Sequence, residues 1–124
     1  MKTILKRCVH CGAMVEVLED CHCKNCGIMC CGEKMVDVPV NGTDGALEKH
    51  LPVVKKVGSY IVAEVPHIMQ DDHYIMWIGL STKEVSAKKY FKSTDEPKAV
   101  FPYIKGSSVI AYCNKHGLYK TDVK

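Results

Sequence analysis

The sequence predicts an all-β protein, an immunoglobulin-like seven-stranded β-sandwich preceded by a small metal-stabilised unit. Three observations carry this. Beyond residue 50, short segments rich in Val, Ile, Tyr and Phe alternate with turn residues. None of them has a convincing helical period. Ahead of them, seven of the eight cysteines crowd between Cys8 and Cys31, in a stretch with little apolar surface.

The cysteine-rich stretch comes first. Cys8-x2-Cys11-Gly12, Cys23-x2-Cys26-Gly27 and Cys30-Cys31-Gly32 look like metal knuckles, with a glycine after each second cysteine to turn the chain through positive φ. Ala13 to Leu18 is the one apolar segment long enough for a strand, so a unit this poor in core needs a metal to fold. An even cysteine count would suit disulfides in a secreted chain; without a targeting segment, clustered cysteines read as metal ligands instead. The turn-rich Pro39 to Gly45 reads as a linker, dividing the chain into units 1–37 and 38–124.

Seven predicted strands follow: Leu51 to Val57, Tyr60 to Val65, Tyr74 to Leu80, Val85 to Lys92, Ala99 to Ile104, Ser108 to Cys113 and Leu118 to Val123. Gly58-Ser59, Asp71-Asp72, Ser93-Thr94-Asp95 and Gly106-Ser107 separate several of them. Seven strands in about 80 residues is near the immunoglobulin-like count, although the Cys/Trp/Cys signature of antibody domains is absent.

Composition bounds the function. With 124 residues, 47% apolar and 25% charged, the chain is globular and too short for a large multidomain enzyme. No run approaches the roughly 18 apolar residues of a membrane span, and charge and cysteine interrupt the amino terminus before a secretory segment could form. A cytoplasmic protein without a membrane partner is expected. The net charge of +3 is too small to suggest nucleic acid. The excess lies wholly in residues 41–124, with twelve Lys/Arg against nine Asp/Glu, which favours a small anion.

Four of the six histidines, His50, His67, His73 and His116, fall at strand ends or in loops of the second unit, together with its one cysteine, Cys113. Loops at one end of a sandwich converge, so these residues can meet. Four nitrogens and one sulfur exceed the four ligands of a structural zinc and leave an octahedral metal one vacant position, which points to iron with room for a small substrate. A copper or iron electron carrier with a zinc-ribbon-like first unit is the alternative; the usual axial methionine of blue copper is missing after Met76.

Glu48-Lys49-His50, His67-x5-His73 and Cys113-Asn114-x-His116-Gly117 resemble the mononuclear iron motifs of superoxide reductases. Cys8-x2-Cys11-Gly12 with Cys30-Cys31-Gly32-Glu33-Lys34-Met35 resembles the desulforedoxin-like, rubredoxin-like domain of the two-iron members, the desulfoferrodoxins. The resemblance implies a catalytic Fe2+/Fe3+ ion, with the four histidines equatorial and Cys113 axial. It also implies that Glu48 can fill the sixth position in the oxidised state and that Lys49 lies by the vacant one. The reaction implied is reduction of superoxide to hydrogen peroxide, in oxidative-stress defence of an anaerobe. The implied electron donor is rubredoxin-like or an NAD(P)H-linked reductase, and the implied assembly is a homodimer. The first unit departs from the family pattern by inserting Cys21-His22-Cys23-Lys24-Asn25-Cys26 between Cys11 and Cys30. Its expected centre is one iron on Cys8, Cys11, Cys30 and Cys31, with Cys21, Cys23 and Cys26 as spare thiols. Zinc is the alternative there, as is an iron-sulfur cluster of the kind found in the related methanoferrodoxins.

Overall fold

The computed structural model describes residues 3–41 and 47–124. The chain divides into two compact units, Thr3–Val38 and Pro39–Lys124. Among the described residues, no helix is long and apolar enough to cross a membrane.

The first unit is built from five short strands. β1 (Ile4–Arg7) lies between β2 (Met14–Val17) and β5 (Val36–Asp37), and β3 (Met29–Cys30) pairs with β4 (Glu33–Lys34). β2 falls within the predicted segment 13–18. The other four escape sequence analysis because they are only two to four residues long. Leu5, Cys8 and Met35 are the buried apolar residues here, too few for a self-sufficient core. The Lys6 ammonium donates to Asp37 at 2.7 Å and ties β1 to β5 at the surface.

The second unit opens with α1 (Leu47–His50), which was not expected from the sequence. The amide of Leu51 donates to the Leu47 carbonyl at 2.9 Å and closes this single turn. The first sandwich strand therefore begins at Val53 rather than Leu51. The strands are β6 (Val53–Val57), β7 (Tyr60–Glu64), β8 (Ile75–Ser81), β9 (Ser86–Tyr90), β10 (Lys98–Pro102), β11 (Ser108–Cys113) and β12 (Gly117–Asp122). They form one sheet in the order β10-β7-β6 and another in the order β12-β11-β8-β9, with every neighbouring pair antiparallel.

Period-two burial shows which face each sheet turns inward. Ile61 and Ala63 of β7 and Ala99 and Phe101 of β10 are buried while their neighbours are not. They meet Ile78 and Leu80 of β8 and Val109 and Ala111 of β11 in one core, which makes this the predicted immunoglobulin-like sandwich. Of the predicted linker, residues 42–45 lie outside the described residues. The rest is held in the unit: Asn41 donates its amide to the Leu118 carbonyl at 2.8 Å, and its side-chain oxygen accepts from Lys120 at 2.9 Å.

Candidate metal centres

The antiparallel register explains how distant residues meet. Val53 at the start of β6 faces Glu64 at the end of β7. Ile75 at the start of β8 faces Cys113 at the end of β11, and Cys113 faces Gly117 at the start of β12. His50 precedes β6, His67 follows β7, His73 precedes β8, Cys113 ends β11 and His116 precedes β12, so all five fall at one end of the sandwich.

Their donor atoms converge within 4.8 Å of one another. The imidazoles form a closed ring, each edge-on to two neighbours: centroids are 4.7 Å apart for His50–His67, 4.6 Å for His67–His73, 4.9 Å for His73–His116 and 4.9 Å for His116–His50. The Cys113 sulfur lies 3.3 Å from Nε2 of His67 and 3.8 Å from Nδ1 of His116, and the latter is 3.1 Å from Nε2 of His50. A register shift between Tyr112 and Cys113 re-aims the cysteine, as bulges beside functional sites do. Gly117, at φ 96°, closes the three-residue turn that returns His116 to the cluster.

Local bonds set the side chains. Nδ1 of His67 donates to the Ile68 carbonyl, which leaves Nε2 bare and facing the cluster. His50 stacks on fully buried Tyr119 with centroids 4.7 Å apart, and the Tyr119 hydroxyl donates to the His116 carbonyl at 3.3 Å. Asn114 joins two loops: its side-chain oxygen accepts from the Tyr74 amide at 2.9 Å and its Nδ2 donates to the Asp72 carbonyl at 3.0 Å. Asn114 belongs to a motif visible in the sequence, but this clamping role has no sequence signal. Tyr119 gives none at all, being one aromatic in a predicted strand.

The donor set suits a cation. Nε2 of His73 is buried without a hydrogen-bond partner, a costly state unless an ion completes it. Burial, reinforced by the neighbouring imidazoles, lowers the His67 pKa to about 4 and also lowers that of His73. Both rings therefore stay neutral, the form that coordinates metal. Glu48 and Lys49 lie exposed on α1 beside buried His50.

In the first unit, the sulfurs of Cys8, Cys11, Cys30 and Cys31 also gather within 4.8 Å of one another. Gly12 and Gly32 adopt φ 78° and 76°, the turns their positions after cysteine pairs predict. The Cys11 amide points at the Cys8 sulfur, 3.5 Å away, and this hydrogen bond chiefly lowers the Cys8 pKa to about 6. The Cys30 thiol, 3.6 Å from the Cys11 sulfur, is pushed up to about 12, chiefly by that contact. Without a cation the four sulfurs cannot all ionise; a bound metal removes this conflict.

The second knuckle differs from expectation. Cys21 and Cys26 are joined in a disulfide, not left as spare thiols, and Cys23 is an exposed free thiol. Gly27 does not take positive φ. With Cys26 tied to Cys21, the knuckle turn has no metal to wrap.

Comparison with known proteins agrees with this architecture. The desulfoferrodoxin family model matches residues 42–122. The desulfoferrodoxin of Nitratidesulfovibrio vulgaris is 42% identical over 121 residues, covering 94% of this chain and 93% of the relative. The superoxide reductase structure from Treponema pallidum shares the fold at a TM-score of 0.72, with 22% identity over 97% of this chain and 98% of that one. The superoxide reductase (1Fe-SOR) from Giardia intestinalis is 30% identical over 62% of this chain and 98% of its own, with a TM-score of 0.55. With a four-histidine, one-cysteine cluster at the end of its sandwich and this match along most of its length, the chain belongs to the desulfoferrodoxin family.

Proposed function

We propose that the protein is a superoxide reductase, with iron held by His50, His67, His73, Cys113 and His116. The observation that carries the reading is the five-donor cluster with its buried, unpartnered His73 nitrogen. Ferrous iron bound there supplies one electron to superoxide, which takes up two protons and leaves as hydrogen peroxide.

The chain's own residues do the rest. Neutral imidazoles leave the ligand lone pairs available at physiological pH. Tyr119 and the Ile68 carbonyl fix ring orientation, as outer groups around metal sites commonly do. A thiolate ligand at Cys113 donates electron density to the metal, as thiolates do in other iron sites. Lys49, exposed next to His50, would supply positive charge for an approaching anion, and the neighbouring Glu48 carboxylate would offer a further oxygen ligand to an oxidised iron. Cys8, Cys11, Cys30 and Cys31 hold a second iron whose four protein sulfurs leave no position for substrate, which suits electron storage. A rubredoxin-like protein or an NAD(P)H-linked reductase supplies the electrons, and the protein works as a homodimer.

An electron carrier is the rival reading, and coordination tells the two apart. The iron-loaded, oxidised protein should bind azide at the histidine–cysteine site with a shift of its thiolate absorption. An absorption unchanged by saturating azide would favour the carrier.

A further inference from the structure

Three cysteines of the first unit take no part in the four-sulfur cluster. Cys21 and Cys26 are joined with Cα atoms 6.4 Å apart, within the span a disulfide bridges without moving the backbone. Cys23 lies inside the same six-residue ring. Residues 18–25 are exposed and belong to no strand. The Asp20 carboxylate accepts from the Cys21 amide at 2.9 Å and Glu19 reaches His22 at 3.3 Å, local contacts that flank Cys21.

A ring this short removes less entropy from the unfolded chain than a long loop would, so structural cross-linking is a weak reason for the bond. Oxidant susceptibility of cysteines follows exposure together with thiolate character, and here Cys21 is exposed and Cys26 half-buried. The reduced form is also provided for: the Cys26 sulfur sits 3.1 Å from the Cys23 carbonyl, where a thiol can donate. We propose that Cys21 and Cys26 form a reversible dithiol–disulfide couple oxidised by hydrogen peroxide, separate from both metal centres.

The step balances as two thiols and one peroxide giving one disulfide and two waters. A cysteine sulfur attacks a peroxide oxygen, the O–O bond breaks and the first water leaves. The partner sulfur then displaces the hydroxyl of the sulfenic acid, the S–S bond forms and the second water leaves. A dithiol reductant reverses this by exchange: it becomes the disulfide, and its two protons pass to Cys21 and Cys26. That the chain generates this oxidant itself rests on the superoxide reductase reading; the couple does not.

Trypsin offers a direct readout, because Lys24 lies between the two cysteines. Full-length, metal-loaded protein is reduced anaerobically with dithiothreitol, freed of it by gel filtration, treated with about two equivalents of reagent hydrogen peroxide so that the dithiol is supplied beyond what ferrous iron consumes, alkylated and digested. Peptides 8–24 and 25–34 should separate in the reduced sample, become joined after peroxide, and separate again after dithiothreitol. Cys23 should be alkylated throughout. The join should vanish in Cys21→Ser and in Cys26→Ser but persist in Cys23→Ser. Failure to join after peroxide, failure to reverse, or a join that survives in Cys26→Ser would each overturn the couple. Because the peroxide is added, these results are independent of whether the protein reduces superoxide.

Discussion

Replacing Asn114 by Ala tests how the site is held, because this side chain ties the loop bearing His73 to the turn bearing Cys113 and His116. Two bonds are lost: the one from the half-buried Tyr74 amide at 2.9 Å and the one to the Asp72 carbonyl at 3.0 Å. A net hydrogen bond is worth about 0.5–1.5 kcal/mol, and a buried group left unpaired costs more than one that water can reach. The Tyr74 amide belongs near the top of that range and the exposed Asp72 carbonyl near the bottom, giving about 2 kcal/mol in all. The backbone bond from the Asn114 amide to the Tyr74 carbonyl at 3.2 Å survives the change. Asn114→Asp keeps the acceptor for Tyr74 and loses only the donor to Asp72, so it should cost about 0.5 kcal/mol, roughly a quarter as much. Urea unfolding of the metal-free protein followed by fluorescence is the assay. Trp77, the single tryptophan, is buried in β8 and stacked on Tyr112, so its signal reports this unit. A loss below about 0.5 kcal/mol for Asn114→Ala, or equal losses in the two variants, would refute the clamp.

Three further outcomes follow from the geometry. Cys30→Ala should remove the first metal while Cys26→Ala keeps it, because Cys30 is in the four-sulfur cluster and Cys26 is not; metal counted per chain decides, and the reverse result contradicts the ligand set. Lys49→Ala should slow the encounter with superoxide and flatten its dependence on ionic strength, read by pulse radiolysis across a salt series; an unchanged salt slope means Lys49 is only solvated. In the metal-free protein, the folded His67 titrates near 4, below the ordinary 6.5, so the unfolded chain takes the proton first as pH falls. Its contribution to stability is therefore full above about pH 6.5 and is lost progressively toward about pH 4, and His67→Gln should flatten that part of the profile.

The sandwich was legible because its strands alternate. β7 and β10 bury every second residue; the segment predicted for β7 contains the observed strand, and the one predicted for β10 starts one residue late. β8 and β11 are buried almost throughout and were still readable as short runs rich in β-branched and aromatic residues between turns. α1 was not legible: four residues are too few for a 3.6-residue period to emerge, and the helix exists because Leu51 closes its one turn. The two-residue strands of the first unit lie below any pattern. β3 and β4 pair because the chain turns back at Cys31 and Gly32.

The residues of the candidate site were legible as chemistry, since four histidines and a cysteine at strand ends are an uncommon set. That they share one end depends on which strands pair, which the sequence does not state. Nor does cysteine spacing determine connectivity. Cys23-x2-Cys26-Gly27 reads like the first knuckle, yet Cys26 is bonded to Cys21 and Gly27 stays out of the left-handed region. The supporting residues were the least legible, because a carbonyl at Ile68 or an aromatic at Tyr119 acts through position alone.

Reduction and dismutation of superoxide differ in stoichiometry, and that difference decides which reaction the protein carries out. Iron-loaded protein with its iron ferrous and its Cys21–Cys26 disulfide intact is mixed anaerobically with a limiting, calibrated amount of superoxide, and hydrogen peroxide and oxygen are both measured. One peroxide per superoxide consumed, with no oxygen released, is the predicted result. Half a peroxide per superoxide accompanied by oxygen would mean dismutation and would contradict it.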